Sequence, residues 1–174
     1  MKTILLGYMA SGKSTIGRLL ASKLNTNFID LDEYIEEKEA KSISKIFDED
    51  GEIYFRLKEN EYLKELLAKD DSFILSLGGG TPCYSSNMDV INSFDSVQSY
   101  YLRATPNTIK ERLLIQRDKR PLVAKLSDEE LLEFIAKHLF ERSFYYEQAK
   151  EKIGIDNKSI PEVVDEIYDK ILEG

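Results

Sequence analysis

Gly7-Tyr8-Met9-Ala10-Ser11-Gly12-Lys13-Ser14-Thr15 constrains what this chain can fold into more than any other stretch. It fits G-x-x-x-x-G-K-[ST], the phosphate-binding loop. That loop works only between a strand and a helix, and the flanks agree. Thr3-Ile4-Leu5-Leu6 is a short apolar run that predicts a buried strand, and Ile16, Leu19, Leu20, Ala21 and Leu24 recur at helical spacing behind it. Glycines let the backbone curl so that successive N–H groups face phosphate oxygens. A helix starting near Gly12 adds unsatisfied N–H groups and its positive dipole end. Lys13 can reach β- and γ-phosphates, and the Ser14 hydroxyl can ligate Mg²⁺.

The remaining chain alternates strand and helix. Phe28-Ile29-Asp30-Leu31-Asp32 predicts a second strand ending in acid. A polar, mainly helical stretch runs from Glu33 to about Lys69, with breaks near Ala40-Lys41-Ser42 and Asp48-Glu49-Asp50-Gly51, and Ser42 or Ser44 could cap its middle helix. From Glu52 to Leu67, the positions Ile53, Leu57, Tyr62, Leu63, Leu66 and Leu67 sketch one amphipathic face. Further strands are predicted at 72–77, 97–102 and 152–155. Helices are predicted after Pro82 and Ser86-Asn87, from Thr105-Pro106 to Ile115, after the capping-box pattern Ser127-x-x-Glu130 to about Gln148, and from Ile160-Pro161, with Leu172 on the last inner face. Such alternation implies a parallel sheet with helices on both faces and a ligand crevice at the strands' carboxyl ends. The phosphate loop, Asp30 and Asp32, and Gly78-Gly79-Gly80 all fall at those ends.

With 174 residues the chain suits one domain. Its net charge of −8 argues against a nucleic-acid surface, so a phosphorylated ligand must find positive charge gathered locally. No signal peptide and no apolar run of spanning length is visible, and Cys83 is the only cysteine, which together suit the cytoplasm. Cys83 and the single histidine, His138, are read as packing or surface residues.

Three groups could carry chemistry. Asp30 and Asp32, if both extended, point the same way: one could hold Mg²⁺ through water and the other accept a hydroxyl proton. Equally, Asp30 could end the strand and Asp32 cap the helix behind it. The glycine triplet exceeds what a turn needs and lets the backbone approach a ligand. The arginines are scarce and grouped: Arg56 beside aromatic residues, Arg142 late in a long helix, and Arg112, Arg117 and Arg120 on and after the fourth strand's helix. A segment ending Arg120-Pro121 reads as a lid over transferring phosphate.

The ordered set Gly7-x4-Gly12-Lys13-Ser14-Thr15, Phe28-Ile29-Asp30-Leu31-Asp32, Gly51-Glu52-x2-Phe55-Arg56-x2-Glu59, Leu77-Gly78-Gly79-Gly80, Arg120-Pro121-Leu122 and Arg142-x2-Tyr145 resembles shikimate kinase, across the whole chain. The resemblance implies a three-layer α/β fold with a five-stranded parallel sheet in the order 2-3-1-4-5. It implies a shikimate-binding segment near 31–62 and a mobile lid near 112–126. The activity it implies is transfer of the ATP γ-phosphoryl group to the 3-hydroxyl of shikimate with one Mg²⁺. Asp32 then looks like the residue holding the reacting hydroxyl and its base, with Lys13 and Arg120 also catalytic. Arg56 and Arg142 look like the pair gripping the shikimate carboxylate, with a backbone contact from Gly79. Ala10, Ser11, Gly12, Lys13, Ser14 and Thr15 would bind ATP, with Arg120 at the phosphates and Arg112 beside adenine. Ser14 would hold Mg²⁺ directly and Asp30 through water. The expected assembly is a monomer. Gluconate kinase-like activity and a non-catalytic ATP sensor are the alternatives. Ala10, where the family often carries glycine, and a lid poor in glycine depart from the pattern.

Overall fold

The computed structural model describes residues 1–84, 86–115 and 125–173. Five strands form one parallel sheet: β1 (Lys2–Leu6), β2 (Asn27–Asp30), β3 (Phe73–Ser76), β4 (Val97–Arg103) and β5 (Glu151–Gly154), in the spatial order β2-β3-β1-β4-β5. The implied strand order is the observed one, with helices on both sides. β1 lies at the centre and is buried along its whole length, which is why it reads as an unbroken apolar run rather than an alternating one. Its register pairs Leu5 with Ser76 of β3 and with Tyr100 of β4.

The helices are α1 (Lys13–Leu24), α2 (Leu31–Glu39), α3 (Ile43–Glu49), α4 (Gly51–Ala68), α5 (Asn87–Asn92), α6 (Pro106–Ile115), α7 (Asp128–Tyr146) and α8 (Ile160–Glu173). α1 packs against α8, and α6 against α7. Local chemistry sets their ends. Ser42 caps α3 through Lys45 N–H, and Ser127 with Glu130 forms the reciprocal capping box that opens α7.

Four expectations need correction. The second strand stops at Asp30 instead of Asp32, because the Asp30 carboxylate accepts from the N–H of Asp32 and Glu33 and so starts α2 at Leu31. Asp30, and not Asp32, is therefore the cap. The core face of α4 is Phe55, Glu59, Tyr62, Leu63, Leu66 and Leu67; Ile53 is 80% and Leu57 62% exposed. The apolar pattern misleads there because a buried acid, Glu59, occupies a position that hydrophobic spacing assigns to a carbon side chain. Leu19 and Leu172 likewise face outward, whereas Ile16, Leu20, Val163, Ile167 and Ile171 are buried. Arg117, Arg120 and the centre of the expected lid lie outside the described residues.

Candidate active site

β1 delivers the chain to the phosphate loop at its carboxyl end. Gly7 has φ 149°, and a β-carbon there would lie 2.8 Å from the Leu102 carbonyl oxygen of β4, so only glycine lets the loop leave the sheet this closely. Ala10 sits in the left-handed region at φ 60°, and Gly12 at φ 93° precedes α1. The methyl group at Ala10 is thus accommodated, at the cost of a backbone conformation that alanine disfavours by about 1–2 kcal/mol.

Lys13 is nearly buried and its ammonium donates to the Gly7 and Tyr8 carbonyls, at 2.9 Å each. The lysine is folded into the loop rather than extended into solvent. Arg112 of α6 donates to the Ser11 carbonyl at 3.0 Å and leans on Ala10 at 3.4 Å, so it reaches the outer side of the same loop. Ser14 Oγ donates to Asp30 Oδ2 at 2.8 Å. This pair brings two oxygen donors to the mouth of the loop, a hard-donor set that suits Mg²⁺. Among the described residues no group of three or more His, Cys, Asp or Glu could form a metal cage.

A cleft of about 400 Å³ runs from this loop past Asp30 and Asp32 to Ser76-Leu77-Gly78-Gly79. The three stretches expected at the strands' carboxyl ends thus share one crevice. Each glycine of the triplet has an acid or a guanidinium group among its nearest neighbours. A β-carbon on Gly78 would lie 2.9 Å from Asp32 Oδ1, one on Gly79 3.7 Å from Arg142 Nη1, and one on Gly80 2.8 Å from Arg56 Nη2. The triplet is a bare rail along which an acid and two guanidinium groups line up. The Arg142 contact crosses from α7 and the Arg56 contact from α4.

Electrostatics sharpen the arrangement. Burial, with the Asp30 and Glu59 carboxylates nearby, pushes Asp32 up to about 6, against the pull of Lys13 and Arg56. Glu59, 1% exposed, takes Arg56 Nη1 on one oxygen at 2.9 Å and the Thr81 hydroxyl on the other at 2.6 Å. Tyr84 lies under the Arg56 guanidinium, 4.0 Å from ring centre to Cζ. Arg56 Nε is buried without a hydrogen-bond partner; the Glu52 carboxylate at 3.7 Å is too far to bond it. Tyr146 OH donates to the Gly79 carbonyl at 2.6 Å and fixes the middle of the rail.

Glu59 entered the sequence reading only as the last residue of the motif Gly51-Glu52-x2-Phe55-Arg56-x2-Glu59, with no role given to it; Thr81, Tyr84 and Tyr146 were not singled out. Glu59 lies three residues after Arg56 on one helix, a spacing that pairs opposite charges and could have flagged it. Nothing local in the sequence announces Tyr146, whose partner is 67 positions away. Cys83 is half-buried, and burial pushes its thiol up, consistent with a packing residue.

Comparison with known proteins gives the family and the fold. The family model described as shikimate kinase matches residues 9–172. A shikimate kinase of Flavobacterium psychrophilum is 50% identical over 171 residues, covering 98% of each chain. The crystal structure of shikimate kinase from Bacteroides thetaiotaomicron superposes with a TM-score of 0.88 at 35% identity, covering 100% of this chain and 99% of that one. Shikimate kinase from Acinetobacter baumannii, in complex with shikimate, gives a TM-score of 0.82 at 30% identity over 99% and 93% of the two chains.

Proposed function

The chain belongs to the shikimate kinase family, and from that premise we propose that it transfers the γ-phosphoryl group of ATP to the 3-hydroxyl of shikimate through the residues of the cleft. The observation that carries the reading is the glycine triplet: a β-carbon on Gly78, Gly79 or Gly80 would approach Asp32, Arg142 or Arg56 in turn, and Asp32, Gly78 and Gly79 line one cleft with the phosphate loop. An anion with hydroxyl groups fits such a wall, its carboxylate between Arg56 and Arg142 and its reacting hydroxyl at Asp32.

Phosphoryl transfer asks the protein mainly to position groups and stabilise charge. Triphosphate binding exchanges the loop carbonyls on Lys13 for β- and γ-oxygens, bringing an ammonium to the transferring group. Asp32 accepts the hydroxyl proton, and its raised affinity for protons suits it to do so near neutrality. Ser14 and Asp30 would hold one Mg²⁺, which when bound neutralises charge on the phosphates. Ala10, Ser11, Gly12 and Thr15 line the phosphate side, Arg112 flanks the adenine, and Gly79 backs the substrate. By resemblance Arg120, outside the described residues, joins the phosphates from the lid. The same proposal makes 1–174 one kinase domain with a substrate segment near 31–62 and a lid near 112–126. It takes the protein as a cytoplasmic monomer with no nucleic-acid or membrane partner. Among the described residues no helix is long and apolar enough to cross a membrane.

ADP release is the direct test. With ATP and Mg²⁺, turnover should start on adding shikimate and not on adding gluconate. Shikimate-independent binding without turnover would favour an ATP sensor, and turnover on gluconate would favour a different kinase of this fold.

A further inference from the structure

Tyr8 belongs to the phosphate loop, yet its side chain is spent on another element. The ring is 1% exposed, and its hydroxyl lies 3.0 Å from Nδ1 of His138 on α7. The Arg142 guanidinium sits 5.7 Å from the centre of the same ring. His138 and Arg142 are four residues apart on one helix, so they share a face. Four residues further along that face, Tyr146 bonds the Gly79 carbonyl. Phe134, one turn before His138, packs against the imidazole at 4.6 Å and holds its plane. Arg142 therefore stands between two hydrogen-bonded anchors of its own helix, one on the phosphate loop and one on the glycine rail.

We propose that Tyr8 and His138 are positioning residues that set the distance between the phosphate cradle and Arg142, so that the grip on the substrate carboxylate depends on a bond between two side chains outside the cleft. The inference rests on Arg142 gripping that carboxylate. Burial raises the Tyr8 phenol to about 12, while burial and then the Arg142 charge lower the His138 imidazole. The phenol is accordingly protonated and the ring neutral, so the pair shares one hydrogen bond, from the hydroxyl to Nδ1 or from Nδ1–H to the phenol oxygen according to the ring's tautomer. A phenylalanine at position 8 would pack equally well, so apolar packing alone does not account for the hydroxyl pointing at His138. What the hydroxyl adds is a fixed spacing between two elements 130 residues apart in sequence.

The test is steady-state kinetics on His138→Ala, His138→Asn, Tyr8→Phe, the double variant His138→Ala/Tyr8→Phe, and Arg142→Ala, each checked for folding by thermal unfolding. Loss of one such hydrogen bond should raise the shikimate KM of His138→Ala about tenfold. The ATP KM should stay within about twofold, since the loop contacts of Lys13 are untouched. Asparagine presents an amide near the position of Nδ1 and should bring the shikimate KM back to within about threefold of the parent. Tyr8→Phe should resemble His138→Ala, and the double variant should be no worse than either, since both remove one bond. The proposal is overturned if His138→Ala leaves the shikimate KM unchanged, if both KM values rise together, if asparagine restores nothing, or if the two substitutions add. Arg142→Ala separates this from the reading beneath it. An unmoved shikimate KM in that variant removes the clamp itself; a raised one, with His138→Ala silent, removes only the positioning pair.

Discussion

In the proposed reading the two ends of the cleft recognise negative charge by different means. At the nucleotide end the work is done by backbone: a loop bent through Gly7 and Gly12, the amino end of α1, and one lysine lodged on the loop's own carbonyls. At the substrate end it falls to two guanidinium groups, Arg56 from α4 and Arg142 from α7, beside glycines that have no side chain. A backbone cradle needs particular residues at fixed local spacing. A side-chain clamp needs only that distant positions arrive together, and its precision comes from partners such as Glu59, Thr81 and Tyr146.

Lys13→Ala gives the largest expected effect. Removing the Lys13 ammonium lodged on the loop carbonyls should lower turnover by about 10³-fold while the thermal unfolding midpoint stays near the parent value. A loss under tenfold would mean that the backbone alone holds the transferring charge, a sharper division than the one drawn here.

The same substitution at two glycines separates the ends next. At Gly7 a methyl group meets the Leu102 carbonyl oxygen, at a φ that alanine avoids, so Gly7→Ala should destabilise the fold by about 2–4 kcal/mol. At Gly80 its three nearest atoms all belong to the Arg56 guanidinium, the end of a side chain rather than backbone. Gly80→Ala should therefore unfold like the parent but raise the shikimate KM by about tenfold to a hundredfold, the penalty of a misplaced clamp. Denaturant unfolding together with substrate titrations reads both; a Gly80→Ala protein with normal shikimate binding would break the comparison.

The smallest expected effect concerns Asp32. Its carboxyl holds a proton up to about pH 6 in the fold but only to about 3.8 in the unfolded chain. As pH rises through that interval the unfolded state ionises first, so the folded state loses relative stability. Asp32→Asn should then be more stable than the parent by on the order of 1–3 kcal/mol at pH 8, an advantage that vanishes near pH 4. In the parent, kcat/KM for shikimate should fall as pH drops below about 6 because the proton acceptor is filled. A flat profile between pH 5 and 8 would remove Asp32 from that role.

How much could be read from sequence follows the same division. The strand, loop and helix around Lys13 were legible because every constraint on them is local. The strand order came through resemblance, since alternation alone gives a parallel sheet without its permutation. Asp30 and Asp32 were half legible: both acids reach the cleft, but one carboxylate spends itself capping α2, which spacing cannot decide. Ile53 and Leu57 were misread because Glu59 holds an inward position on α4 that only its contacts to Arg56 and Thr81 make tolerable. Tyr8 with His138, and Tyr146 with Gly79, join residues too far apart for any pattern to link.

Arg56 is the side chain on which the clamp turns, and alanine there would strand the buried Glu59 carboxylate and blur the result. Lysine keeps a charge beside Glu59 but loses the planar fork. For Arg56→Lys, the shikimate and ATP KM values measured side by side should diverge, the first rising at least about tenfold and the second staying within about twofold. A parallel rise in both, or no change in either, would contradict a carboxylate clamp at this end of the cleft.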